Sequence, residues 1–103
     1  MSNYKIKQYS RDRIDELNKK LGTDVYSIRV SNDPSKKIDI FLRNEVIASV
    51  GDPELPDYPT YIGERGVEFA NKRRDAFYNR FRRLPDIKDG KITNMFWSRY
   101  LLW

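Results

Sequence analysis

Apolar residues recur along this chain with two different periods, and the change of period marks its parts. Between residues 25 and 50 they return at every second position, as on a half-buried strand. Tyr26, Ile28 and Val30 share one face against Ser27 and Arg29, and Ile38, Ile40 and Leu42 alternate with Asp39 and Phe41. Val46 to Val50 makes a third run, closed by Gly51. Asn32, Asp33 and Pro34 supply a turn between the first two runs, and Arg43 to Glu45 is a tight second connection. The pattern predicts a three-stranded antiparallel meander, one face of which must be covered.

On both sides of the meander the period becomes helical. Ile14, Leu17 and Leu21 form a narrow stripe over 11–21, with Ser10 as the expected N-cap and Gly22 placed to end the helix. Ahead of it, Tyr4 and Ile6 alternate weakly, which fits an arm or a short edge strand over 1–9. The stretch 64–84, ERGVEFANKRRDAFYNRFRRL, predicts one long amphipathic helix. Its apolar side carries Val67, Ala70, Phe77, Tyr78, Phe81 and Leu84, while Lys72, Arg73, Arg80, Arg82 and Arg83 lie mostly elsewhere. Pro85 stops it, and a polar loop with Gly90 follows. Thr93 can cap a final helix, 94–103, that is apolar almost all round. Such a helix is buried on most sides: it plugs its own core or enters a partner. The segment 52–63 between sheet and basic helix holds Pro53, Pro56 and Pro59 and predicts a stiff, solvated arm.

These elements give an α+β fold in a single small domain, 1–103. Its order is the arm 1–9, a helix plus three-stranded sheet over 10–51, the proline-rich arm 52–63, the basic helix 64–84 and the apolar C-terminal helix 93–103. A chain of 103 residues supports one modest core.

Charge changes the picture. Residues 1–62 hold 10 basic and 10 acidic residues, and residues 63–103 hold 10 and 5, so the second part carries the whole net +5. An acidic partner would meet the basic helix first. The chain has no cysteine and no histidine, which removes thiolate zinc sites, disulfides and serine–histidine or cysteine–histidine catalysis. No carboxylate pair stands at a spacing suited to acid–base work, and no phosphate loop or metal motif is present. No catalytic, cofactor-binding or metal-binding residue is assigned, no cofactor is expected, and the expectation is a non-enzyme. There is no apolar run of membrane-span length and no secretory leader pattern, which points to an intracellular product.

Three groups of residues remain as candidates. Lys72, Arg73, Arg80, Arg82 and Arg83, extended by Lys88 and Lys91, are the candidate contact surface for nucleic acid or an acidic partner, against the commoner explanation of a solvated helix face, which Glu68 and Asp75 interrupt. Phe96, Trp97, Tyr100, Leu101 and Trp103 serve protein docking or core packing, with packing favoured by their spacing. Arg74 falls inside the apolar stripe, so it must snorkel, stack on an aromatic such as Tyr78, or pair with an acid: a structural arginine.

Gly51, Asp57, Tyr58, Arg73, Phe77, Arg80 and the closing Trp97-Ser98-Arg99-Tyr100-Leu101-Leu102-Trp103 form a longer pattern over 37–103. It resembles a group of small uncharacterised proteins of giant and other large DNA viruses, in which a D-Y segment and an R-x-x-x-Y-x-x-R-H helix precede a W-S-R/K-W/Y-L-L-W ending. Phe81 stands where that group usually has histidine, and Phe77 where it usually has tyrosine. The resemblance implies a viral protein placed in or near the virion, or in the host-cell interior, and brings no catalytic residues. On that basis the first expectation is a structural, minor capsid-associated protein that docks on other virion proteins. The alternative is a small nucleic-acid-binding protein using the helix 64–84.

Overall fold

The computed structural model describes residues 1–103 and is an α+β fold. In chain order, α1 spans Gln8–Leu21, β1 Tyr26–Val30, β2 Ile38–Leu42 and β3 Glu45–Val50. Then come α2 at Tyr58–Arg65, α3 at Val67–Phe81, β4 at Ile87–Lys88, β5 at Lys91–Ile92 and α4 at Asn94–Leu102. The N-terminal helix, the antiparallel meander in the order β1-β2-β3 and the C-terminal helix are as the periodicity predicts. The chain forms two compact units, Met1–Leu55 and Pro56–Trp103.

In the first unit, Ile28 pairs with Ile40, and Ile40 with Ala48, so each apolar row crosses the sheet in register. Ile38, Ile40 and Val50 are buried, with Ile6 and Ile14. The register shifts between Ile40 and Phe41, where Ile47 is the extra residue of a bulge on β3. Helix α1 begins earlier than the Ser10 cap implies. Lys7 is its N-cap without a side-chain hydrogen bond, and Ser10 is buried inside the helix. Residues 1–7 form no strand; the Ser2 N–H donates to the Ser31 carbonyl at 2.8 Å and fixes the segment. Gly22, at φ 64°, ends the helix in the left-handed region, and the N–H groups of Gly22 and Thr23 satisfy the last-turn carbonyls. Asn18 on α1 accepts from the Tyr26 N–H at 3.1 Å and donates to its carbonyl at 2.8 Å, so one side-chain amide stands in for a neighbouring strand at the edge of β1.

Asp39, in the centre of β2, is buried, although alternation placed it on the solvent face. It is satisfied there. The Ser31 and Ser49 hydroxyls each donate to it at 2.6 Å and the Asn32 N–H at 3.2 Å. Burial pushes its carboxyl up, but the three hydrogen bonds together outweigh that and hold it below the usual range. Lys37 is likewise buried; its ammonium donates to the Leu55 carbonyl at 2.6 Å and lies 4.9 Å from the Tyr4 ring.

In the second unit, three expectations are corrected. The stretch 64–84 is not one helix. Gly66 has φ 86° and ψ 168°, outside any helical region, and it separates α2 from α3. The arm 52–63 is not solvated throughout, because its last residues begin α2. Asp57 is the N-cap, accepting from the Thr60 N–H at 3.1 Å and hydroxyl at 2.7 Å, and Pro59 sits in the first turn, where its missing N–H costs nothing. The apolar stripe of α3 also shifts. Ala70 is buried and Phe69, Phe77 and Phe81 are half-buried, while Val67, Tyr78 and Leu84 are exposed. The loop after Pro85 contains a two-stranded hairpin, β4–β5. The Thr93 hydroxyl accepts from the Phe96 N–H at 3.3 Å and caps α4 as its position predicts.

Candidate nucleic-acid interface

The cations that the sequence singles out lie on α3 and just beyond it. Lys72, Arg73, Arg80, Arg82, Arg83, Lys88 and Lys91 are all exposed. None of the seven is within ion-pair distance of a carboxylate. Arg73 lies 5.6 Å from the Tyr61 ring and Arg80 5.1 Å from the Phe81 ring, contacts that leave the guanidinium edges free to donate. Glu68 and Asp75 are exposed on the same helix and unpaired. The unit Pro56–Trp103 has ten basic and six acidic residues. One of the six, Asp86, is neutralised by Arg99 at 2.6 Å. Lys72, Arg73 and Arg80 are thus exposed cations on α3, and Arg82, Arg83, Lys88 and Lys91 follow it in the chain; phosphate contact calls for several such cations.

Arg74 is stacked, as its place in the apolar stripe requires, but on Tyr58 rather than Tyr78. Its guanidinium lies 4.2 Å from the Tyr58 ring and donates to the Asn71 amide oxygen at 3.3 Å. The Tyr58 hydroxyl donates to the same oxygen at 2.8 Å. Tyr58, Asn71 and Arg74 thus clasp α2 to α3 across the break at Gly66, and Arg74 is spent on structure.

The aromatic ending is folded into the chain. Trp97, Leu101 and Leu102 are buried, and Trp103 stacks on Phe77 with centroids 4.6 Å apart and planes at 11°. Phe96 and Tyr100 are half-buried and stack on each other at 5.5 Å. Tyr61 reaches both Phe69 and Trp103. Of the docking-or-core candidates, Trp97 and Leu101 have no surface left to offer a partner.

Sequence reasoning missed the residue that organises this end of the molecule, Arg99. Its side chain is only 11% exposed and bonds three acceptors: the Phe81 carbonyl, the Leu84 carbonyl at 2.8 Å and the Asp86 carboxylate at 2.6 Å. It caps the C-terminus of α3, where orphan carbonyls and the negative end of the helix dipole favour a cation. Thr93 completes the anchor, donating from its hydroxyl to the Pro85 carbonyl at 2.7 Å and from its N–H to the Asp86 carbonyl at 2.9 Å. No local periodicity reveals a contact across so many residues. The hairpin had a signal: Asp89-Gly90 between two Ile-Lys pairs is a strong two-residue turn pattern.

No group of acidic, histidine or cysteine side chains in the chain could hold a metal ion, and no helix is long and apolar enough to cross a membrane. Comparison with protein-family models, with curated proteins and with solved structures returns no match.

Proposed function

We propose that this protein binds nucleic acid without transforming it, through the cationic surface of α3 and the segment that follows. One observation carries the reading: seven exposed lysines and arginines between residues 72 and 91, none of them in an ion pair. Pairs at i,i+4 stabilise a helix face; Glu68 and Lys72 stand at that spacing and are not paired. If every one met a phosphate, the slope of log K against log salt would reach about −6. The test is fluorescence anisotropy of a labelled mixed-sequence duplex over a salt series, with native protein and with Arg73→Glu, Arg80→Glu, Arg83→Glu combined. The native protein binds at low salt with a steep negative slope, and the variant loses binding while keeping its circular dichroism. Absence of binding by the native protein at low salt sinks the proposal.

A second reading, a minor virion component that docks on other proteins of a large DNA virus, has a narrower support than the sequence suggests. Trp97, Leu101 and Leu102 are buried, so the apolar ending leaves a partner only the half-buried Phe96, Tyr100 and Trp103. What favours this reading instead is the exposure of Leu84, Ile87 and Ile92 around the hairpin. Replacing those three by serine would then abolish association with purified virion proteins, whereas the charge reversal would not.

A further inference from the structure

The β4–β5 hairpin is a two-faced probe on a fixed base. Its register sets Lys88 opposite Lys91 and Ile87 opposite Ile92. Opposite residues share a face and successive residues alternate, so one face of the ribbon carries two lysines and the other two isoleucines. Two like charges directly opposite each other disfavour the ladder that holds them. The isoleucines are 63% and 48% exposed, so they are not anchors either. The hairpin therefore stands by means other than its own side-chain pairs. Asp89 and Gly90 both have positive φ, 53° and 76°, the turn whose twist matches a two-stranded ribbon. At its foot, Asp86 is held by Arg99 and by the Thr93 N–H. Arg82 and Arg83 flank the same foot on the side of α3 and are exposed.

The geometry points to this hairpin as the element that enters the major groove of double-stranded DNA, an inference that rests on the nucleic-acid reading above and names its ligand. The two residues of each strand at about 3.3 Å each extend roughly 7 Å. The major groove of B-form DNA is about 8.5 Å deep and about 12 Å wide, and it admits a two-stranded ribbon. Laid flat in the groove, the ribbon sets Ile87 and Ile92 toward the base edges, where thymine methyl groups offer apolar contact, and the long Lys88 and Lys91 side chains on its opposite face extend outward to the phosphates of the walls. Arg82 and Arg83 meet the backbone at the rim. An A-form RNA duplex has a deep, narrow major groove that side chains do not read, so it is a poor ligand for this shape.

The experiment compares the native protein with the Lys88→Gln, Lys91→Gln double variant on a DNA duplex, and the native protein on an RNA duplex of the same sequence. Methyl green, which occupies the major groove, and netropsin, which occupies the minor groove, serve as competitors. Both substitutions lie on an exposed hairpin, and unchanged tryptophan emission confirms that the unit remains folded. The inference expects the salt slope to become less negative by about 1.8 and affinity near 0.1 M salt to fall roughly 60-fold, at about 0.9 in the slope per phosphate. It also expects DNA to outcompete RNA and methyl green, but not netropsin, to displace the protein. Native binding to DNA with a slope that the double variant leaves unchanged, equal affinity for the RNA duplex, or displacement by netropsin overturns the hairpin assignment while leaving nucleic-acid binding in place. No binding of the native protein to either duplex overturns both.

Discussion

Replacing Arg99 by alanine should destabilise the unit Pro56–Trp103 more than any other single surface-charge substitution. Arg99 donates to the Phe81 and Leu84 carbonyls at the end of α3 and pairs with Asp86. A hydrogen bond from a charged donor contributes about 1.5–3 kcal/mol net, with water replacing part of that where the acceptor is partly exposed. The ion pair adds little, about 0–1 kcal/mol, because Asp86 is 53% exposed. Together these give a loss of about 2–4 kcal/mol. For a small unit that is a large share of a stability of about 0.05–0.15 kcal/mol per residue. The assay is built into the sequence: both tryptophans, Trp97 and Trp103, belong to this unit. Urea titration followed by their emission should show the midpoint falling with an unchanged slope, or a substantial unfolded fraction already present in buffer. Arg99→Lys keeps the charge but lacks the planar fork that spans several acceptors, and should recover less than half of the loss. Arg74→Ala should cost only about 1 kcal/mol, since it removes one ring contact and one long hydrogen bond. An Arg99→Ala midpoint equal to that of the native protein would refute the assignment of Arg99 as the organising cation.

Other consequences follow from single features. Gly66→Ala should destabilise by about 1–3 kcal/mol although nothing lies within 4 Å of an added Cβ, because φ 86° with ψ 168° is open essentially only to glycine; a neutral result in thermal melts contradicts the break between α2 and α3. Trp103→Ala should lose about 2–3 kcal/mol from burial and the Phe77 stack, read by urea titration of the remaining Trp97 emission. Asp39 has a folded-state pKa below its unfolded value, so its stabilisation is fully present above the ordinary carboxylate range and is lost as pH falls through the lowered value. Stability of the first unit measured by circular dichroism should therefore drop in acid. Asp39→Asn should flatten that acid limb while lowering stability near neutrality by about 1–3 kcal/mol; an unchanged acid limb contradicts the role of the buried carboxylate.

The fold class was legible because the two periods are clean where they matter. Tyr26 to Val50 alternates around pairs such as Ile28 and Ile40, and Gly22 and Thr93 sit at helix ends whose chemistry requires them. Boundaries failed where a single residue outweighed a pattern. Gly66 interrupts a run that is amphipathic by composition, and Asp57 with Pro59 turns the end of a proline-rich stretch into a helix start. The apolar face expected over 64–84 differs at Val67 and Tyr78 because the neighbours that select the buried side of α3, Tyr61 on α2 and Trp103 after α4, come from elsewhere in the chain, and at Leu84 because the helix has ended by then. The buried Asp39 was hidden for the same reason: Ser31 and Ser49 flank it only once the meander has formed. The candidate cations were readable one by one, since exposed lysines and arginines declare themselves. Arg99 was not, because its acceptors are carbonyls that carry no sequence signature.

The central claim is that the unpaired cations from Lys72 to Lys91 meet a polyanion. Its most direct test is the salt dependence of binding to a labelled DNA duplex between about 50 and 200 mM. The account predicts tight association at the low end and a steep linear fall of log K with log salt, abolished by reversing Arg73, Arg80 and Arg83. A native protein that leaves the anisotropy of the duplex unchanged at the lowest salt contradicts it.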